Sequence, residues 1–201
     1  MADQVREIYE QAVAVFRDGD YAAAMDGVRK IYILQPGCLR GLLLEAYIHR
    51  ARQAWSSEIH ALQQITSFAA QNGVMDISLL ATAWSLLGSA WSAVGESTAA
   101  RKAFLHSVEF EKDEAQRLQE YSNAIFVTNH DSAGDDLNVM RSLYAGYRKL
   151  LHNIRPFPVR RYTHKKLRIG YLSADFRLHP VAYFIASLLT GFDRESFVVY
   201  C

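Results

Sequence analysis

Cysteine is scarce in this chain: Cys38 and Cys201 stand alone, far apart and in no ligand-type spacing. That excludes a disulfide framework and fits a reducing compartment. Long apolar runs are missing as well. No stretch approaches the roughly 18 uninterrupted apolar residues of a membrane span, and the charged segment Met1–Glu10 has no signal-type apolar core. A soluble cytoplasmic protein without a membrane partner is therefore expected. Neither sign of charge dominates, with 22 Lys and Arg against 21 Asp and Glu, so no global field favours nucleic acid. The dinucleotide fingerprint G-x-G-x-x-G and the phosphate-binding P-loop are both absent. His49, His60 and His106 have no partner at metal-ligand spacing, so no metal is expected, and they read as surface or groove residues. What is abundant is apolar surface: half of the 201 residues are hydrophobic, an ordinary proportion for a folded domain.

That apolar half is arranged as a repeat. From about Ala81 to Lys112 the chain places Trp84, Leu87, Gly88, Trp91, Gly95, Ala100 and Phe104 in order. Trp84, Leu87, Trp91 and Phe104 share one helical face, and Gly88 and Ala100 fall where two helices of a hairpin come close. Gly95 breaks the chain between them, where a left-handed residue costs glycine little. This order resembles the tetratricopeptide repeat. The same frame fits Gly19, Ala24, Val28, Ile31 and Pro36 near the start. A degenerate unit lies between, with Leu42, Leu43, Ala46 and Tyr47 on its first helix and Ile59, Leu62, Ile65 and Phe68 on its second. Gly19 and Gly95 are two 34-residue periods plus eight apart, so the middle unit carries an insertion or longer helices. Such arrays present a concave surface to a partner polypeptide. Each aromatic residue taken singly reads as packing between helices ahead of ligand contact.

A further helix is expected over Glu114–Asn129, with Leu118, Tyr121, Ile125 and Phe126 on one face. Turn residues follow from Asn129 to Gly134, then an apolar stripe through Leu137, Met140, Leu143, Tyr144, Tyr147, Leu150 and Leu151. Asp135 and Asp136 suit the start of that helix, and Arg148 and Lys149 its end. Arg155-Pro156-Phe157-Pro158 must be extended. The basic run Arg155, Arg160, Arg161, Lys165, Lys166 and Arg168 reads as a solvated linker, since no aromatic platform accompanies it.

The last stretch changes character. Leu167–Ser173 reads as a strand, Ala174–Leu178 as a loop, and His179-Pro180 as the opening of a helix whose inner face carries Phe184, Leu188 and Leu189. Gly191 ends that helix and Phe197–Cys201 begins a second strand, completing a βαβ unit. In open α/β sheets ligands gather at the carboxyl ends of strands. His179 lies there, beside the positive end of a helix, where a neutral imidazole able to accept a proton fits. A helix cap is the alternative role, and the residues alone leave the two open.

The segment Leu167–Phe184, LRIGYLSADFRLHPVAYF, resembles the opening of the catalytic region of the O-GlcNAc transferase family, including its bacterial SPINDLY-like members. Tyr121-Ser122-Asn123-Ala124-Ile125-Phe126 is similar to the stretch that precedes that region in bacterial members. The resemblance implies transfer of N-acetylglucosamine from UDP-GlcNAc to serine or threonine hydroxyls of proteins, two Rossmann-like lobes, and His179 in the active site as a candidate base. It implies no cofactor beyond the donor substrate. Tyr183 stands where many members have a second histidine, and Leu178 where asparagine is frequent.

The expected fold class is mostly α: a tetratricopeptide-like α-α superhelix followed by the first βαβ unit of a Rossmann-like glycosyltransferase lobe. Residues 1–130 form the repeats, 131–164 a connector helix and basic linker, and 165–201 the start of the catalytic domain. The groups that would grip uridine and pyrophosphate are expected beyond Cys201, so the chain alone is expected to be inactive. The repeats would recruit acceptor proteins. A non-catalytic binding scaffold with a vestigial remnant is the alternative.

Overall fold

The structure, a computed structural model, describes residues 2–73, 76–131, 137–151, 158 and 163–201. The chain divides into two compact units, Met1–Ile154 and Arg155–Cys201. Helix dominates: among the described residues the only strands are two short ones in the second unit.

In the first unit the helices are α1 (Ala2–Arg17), α2 (Tyr21–Leu34), α3 (Leu39–Ala51), α4 (Trp55–Asn72), α5 (Ile77–Ala93), α6 (Ser97–Phe110), α7 (Glu114–Thr128) and α8 (Leu137–Leu150). Aspartates start three of them. Asp20, Asp76 and Asp113 accept the N–H groups of Ala23, Leu79 and Gln116 at 3.0, 3.0 and 2.8 Å, satisfying donors that a helix start leaves free. The hairpin turns α1–α2, α3–α4 and α5–α6 each pass through one residue of positive φ: Gly19 at 86°, Gln53 at 55° and Gly95 at 85°. Gln53 thus occupies the left-handed position that glycine takes in the other two repeats.

Those three turns resolve the irregular spacing. Gly19 and Gln53 are one 34-residue period apart, whereas Gln53 and Gly95 are 42 apart. Helix α4 has 18 residues where α2 and α6 have 14, which supplies four of the eight extra residues. Helix α5, with 17 residues where α3 has 13, supplies the other four.

Successive helices pack in chain order, and α3 also touches α1 and α5. The odd-numbered helices therefore converge on one side of the stack. Packing follows the small residues. Ala24 and Ala100 are fully buried at equivalent places, and a Cβ on Gly88 would lie 2.6 Å from the Phe104 ring. The main core joins Leu42, Leu62, Ile65, Ala83, Leu87 and Ala90, with Trp84 and Trp91 packed against it while half-buried. Helix α8 packs on α7, where Gly146 receives the Tyr121 ring.

Two expected faces differ from those found. On α7 the buried side is Glu120, Ala124, Ile125, Val127 and Thr128, while Phe126 is exposed. The apolar pattern misplaced this face because a glutamate and a threonine lie on its buried side. The expectations for Asp135, Asp136, Arg155, Arg160 and Arg161 lie outside the described residues.

In the second unit, β1 (Leu167–Gly170) and β2 (Phe197–Tyr200) pair in parallel, with Leu167 opposite Phe197 and Gly170 opposite Tyr200. Between them lies α9 (Pro180–Thr190). The strand is shorter than the seven-residue reading, although Tyr171 N–H still donates to Tyr200 O at 2.9 Å. Phe184 and Leu188 do not form the inner face of α9. Both are exposed, and the half-buried residues are Ala182, Ile185 and Leu189. A sheet of two strands covers only a narrow stripe of the helix, leaving the neighbouring apolar residues outside.

Candidate functional site

The inner side of the array carries two hollows. One of about 450 Å³ is lined by Val5 and Tyr9 of α1, Leu39 of α3, Phe68 of α4 and Leu79 of α5, with Arg6, Arg40 and Asp76 also contributing. It is mainly apolar. The second, about 480 Å³, is lined by Tyr47 of α3, Ala81, Thr82, Ser85 and Leu86 of α5, Gln116 and Glu120 of α7, and Glu111 and Asp113 before them. It is polar and acidic. Burial pushes the Tyr47 hydroxyl above its ordinary range.

Two glutamates are fully enclosed within this unit. Glu58 takes the place that Ala24 and Ala100 hold in the neighbouring repeats. Its Oε1 accepts from Arg50 Nε at 2.8 Å and lies 2.7 Å from Arg50 Nη2. Arg50 Nη2 also donates to Leu86 O at 2.9 Å, so one guanidinium ties α3 to both α4 and α5. Burial is the largest influence on Glu58 and raises its carboxyl above the ordinary range, with Arg50 and His49 pulling it down. Glu120 has no such cation. Its Oε1 accepts from Ser85 Oγ at 2.7 Å and Gln116 Nε2 at 2.8 Å, and its Oε2 is buried without a partner.

In the second unit His179 is the N-cap of α9, and its Nδ1 accepts the Val181 N–H at 3.3 Å. The proton of the neutral ring then sits on Nε2, so the imidazole presents a donor outward. Asp175 Oδ1 lies 3.9 Å from the same Nδ1. Turning the ring toward it would exchange the cap for an Nδ1–H donor and free Nε2 to accept a proton. His179 and Asp175 are both partly open to solvent, on the loop between β1 and α9.

The remaining sequence candidates are dispersed. His49 lies 3.5 Å from Glu45 in a half-buried pair. His106 stacks on Trp84 with ring centroids 4.6 Å apart, its Nδ1 3.2 Å from Glu109. Among the described residues no group of histidine, cysteine and carboxylate side chains could hold a metal ion, and no helix is long and apolar enough to cross a membrane. Glu58, Glu120 and Arg50 were not read from the sequence. Glu58 carried a usable signal, a charge where the repeat frame asks for a small residue. Glu120 carried none, because charged residues on a helix usually face water.

No protein-family model and no curated protein matches the chain at the level of sequence. Solved structures do resemble it. A mutant of the Thermobaculum terrenum O-GlcNAc transferase aligns with 100% of this chain at TM-score 0.55 and 20% identity; the chain spans 37% of that protein. MamA from Desulfovibrio magneticus RS-1 aligns with 74% of the chain and 76% of its own length, at TM-score 0.55 and 15% identity. BtubC from P. vanneervenii aligns with 80% of the chain and 69% of its own length, at TM-score 0.58 and 13% identity. These likenesses define the class: a mostly α, tetratricopeptide-like helical array.

Proposed function

We propose that the chain is the repeat region and opening catalytic segment of a protein O-GlcNAc transferase. The repeats hold acceptor proteins along the side formed by the odd-numbered helices, and the βαβ unit begins the lobe that transfers N-acetylglucosamine from UDP-GlcNAc to serine or threonine. The observation that carries this reading is the likeness of the whole of this chain to 37% of the Thermobaculum terrenum enzyme, which runs through the βαβ unit as well as the helices. The Leu167–Phe184 segment supports it from the sequence side. In this reading His179 acts on the acceptor hydroxyl, either orienting it through Nε2–H or accepting its proton after the ring turns to Asp175. The setting is cytoplasmic.

The second reading is a protein-binding scaffold without catalysis. It is favoured by the MamA and BtubC likenesses, which cover 74% and 80% of the chain. Incorporation of radiolabelled N-acetylglucosamine from UDP-GlcNAc into protein, by the polypeptide as its gene encodes it, separates the two. Labelled protein supports the transferase; a polypeptide that binds proteins and labels none is a scaffold.

A further inference from the structure

Glu58 and Glu120 make a pair of contrasts. Both are buried, at 0% and 1% exposure, and each has one oxygen hydrogen-bonded and the other without a partner. Glu58 has its cation in Arg50, on the adjacent helix. Glu120 is held only by the neutral donors Ser85 and Gln116. A carboxylate withdrawn from water attracts a counter-charge strongly, because little solvent screens the pair.

The lining of the Glu120 hollow adds no such charge. Lysine, arginine and histidine are all absent from the lining of its hollow, while Glu111 and Asp113 add two more carboxylates. Both of these are already engaged with backbone: Glu111 Oε1 accepts from Lys112 N and Asp113 N at 2.7 and 2.9 Å, and Asp113 caps α7. Arg50 reaches the Leu86 carbonyl on the wall, yet its guanidinium is committed there and to Glu58. The carboxylates do not converge into a group that could hold a metal ion among the described residues. A hollow of about 480 Å³ instead suits an organic cation on a long stem, with Tyr47, Ala81 and Leu86 beside its methylenes.

We infer that the hollow between α3, α5 and α7 receives one lysine or arginine side chain of a bound polypeptide, with Glu120 as its counter-charge. This rests on the reading of the inner side as a polypeptide-binding groove and adds a residue preference to it. Partners with a basic residue in the bound stretch are selected, and acidic stretches are repelled.

The test is a nuclear magnetic resonance titration of the isotope-labelled chain, following the Ser85, Gln116 and Glu120 amides. Two blocked Gly-Ser heptapeptides serve as probes, identical except that the central residue is lysine in one and norleucine in the other. The lysine peptide should shift these amides and bind about tenfold tighter than its uncharged counterpart, the ratio expected of a charge-assisted hydrogen bond. Glu120→Gln should erase that ratio. Thr82→Arg, which supplies a cation from the protein itself and leaves Glu120 in place, should abolish lysine binding even if the glutamine variant does not fold. Equal binding of the two peptides would overturn the inference while leaving the groove intact. A lysine preference that survives in folded Glu120→Gln would overturn it too, and failure of both peptides to bind would contradict the groove as well.

Discussion

Gly88 shows how much one hydrogen atom decides in this array. A Cβ there would meet the Phe104 ring at 2.6 to 2.8 Å, with Phe104 itself buried, so neither partner can retreat without opening the core. Gly88→Ala should lower stability by about 1–3 kcal/mol. Lys102→Ala, on the exposed side of α6, should change it by no more than about 0.5 kcal/mol. Thermal melts of the two variants decide the matter, and equal melting temperatures would remove Gly88 from the contact. Glu58 offers a second test at this scale. Its carboxyl is raised in the folded chain above 4.5, mainly by burial, so between 4.5 and that raised value the native state binds more protons than the unfolded chain. Stability then falls as pH rises from about 4.5 through the raised folded value. Denaturant midpoints measured across that range should slope downward for the wild type and show a smaller slope for Glu58→Gln. An identical slope in both would mean that another group titrates.

At the scale of elements, the helices were legible in the sequence wherever apolar residues alone set the period. The α5–α6 hairpin was placed by Trp84, Leu87, Gly88, Gly95 and Phe104, and each takes the expected part in the packing or the turn. The middle hairpin was harder to read for two physical reasons. Gln53 turns the chain at φ 55° without being glycine, and a half-buried Arg50 paired with the buried Glu58 replaces the small contact. Helix α7 misled the pattern because Glu120 and Thr128 lie on its buried side. Helix α9 was placed at its ends, by His179-Pro180 and Gly191, but not in rotation. Its exposure makes a prediction. No residue of α9 is buried, whereas seven of α5 are. Amide hydrogens of Ala182–Leu189 should therefore exchange far faster than those of Ala81–Ala90, because protection follows enclosure and packing. Comparable protection would mean that α9 is covered in solution.

For the whole molecule, the position of His179 in the fold was legible in the sequence, while its side-chain geometry was not. His179 was picked out by position after a strand and before a helix. Its Nδ1 bond to Val181 N–H and the nearby Asp175 carboxylate are matters of side-chain geometry that spacing does not reveal. The acidic hollow on the odd-numbered helices depends on contacts between residues 35 apart in sequence, such as Ser85 and Glu120. The proposed function joins these parts: helices that would present a polypeptide, and a loop whose histidine would meet the acceptor hydroxyl. The most direct measurement is sugar turnover by the polypeptide as its gene encodes it, wild type against His179→Ala, with the melting temperature read on the same samples. The account predicts that turnover falls by about 10²–10⁴-fold with little change in helical content. A variant that keeps near-wild-type turnover and loses about 0.5–2 kcal/mol of stability would make His179 a helix cap alone, and would contradict the account.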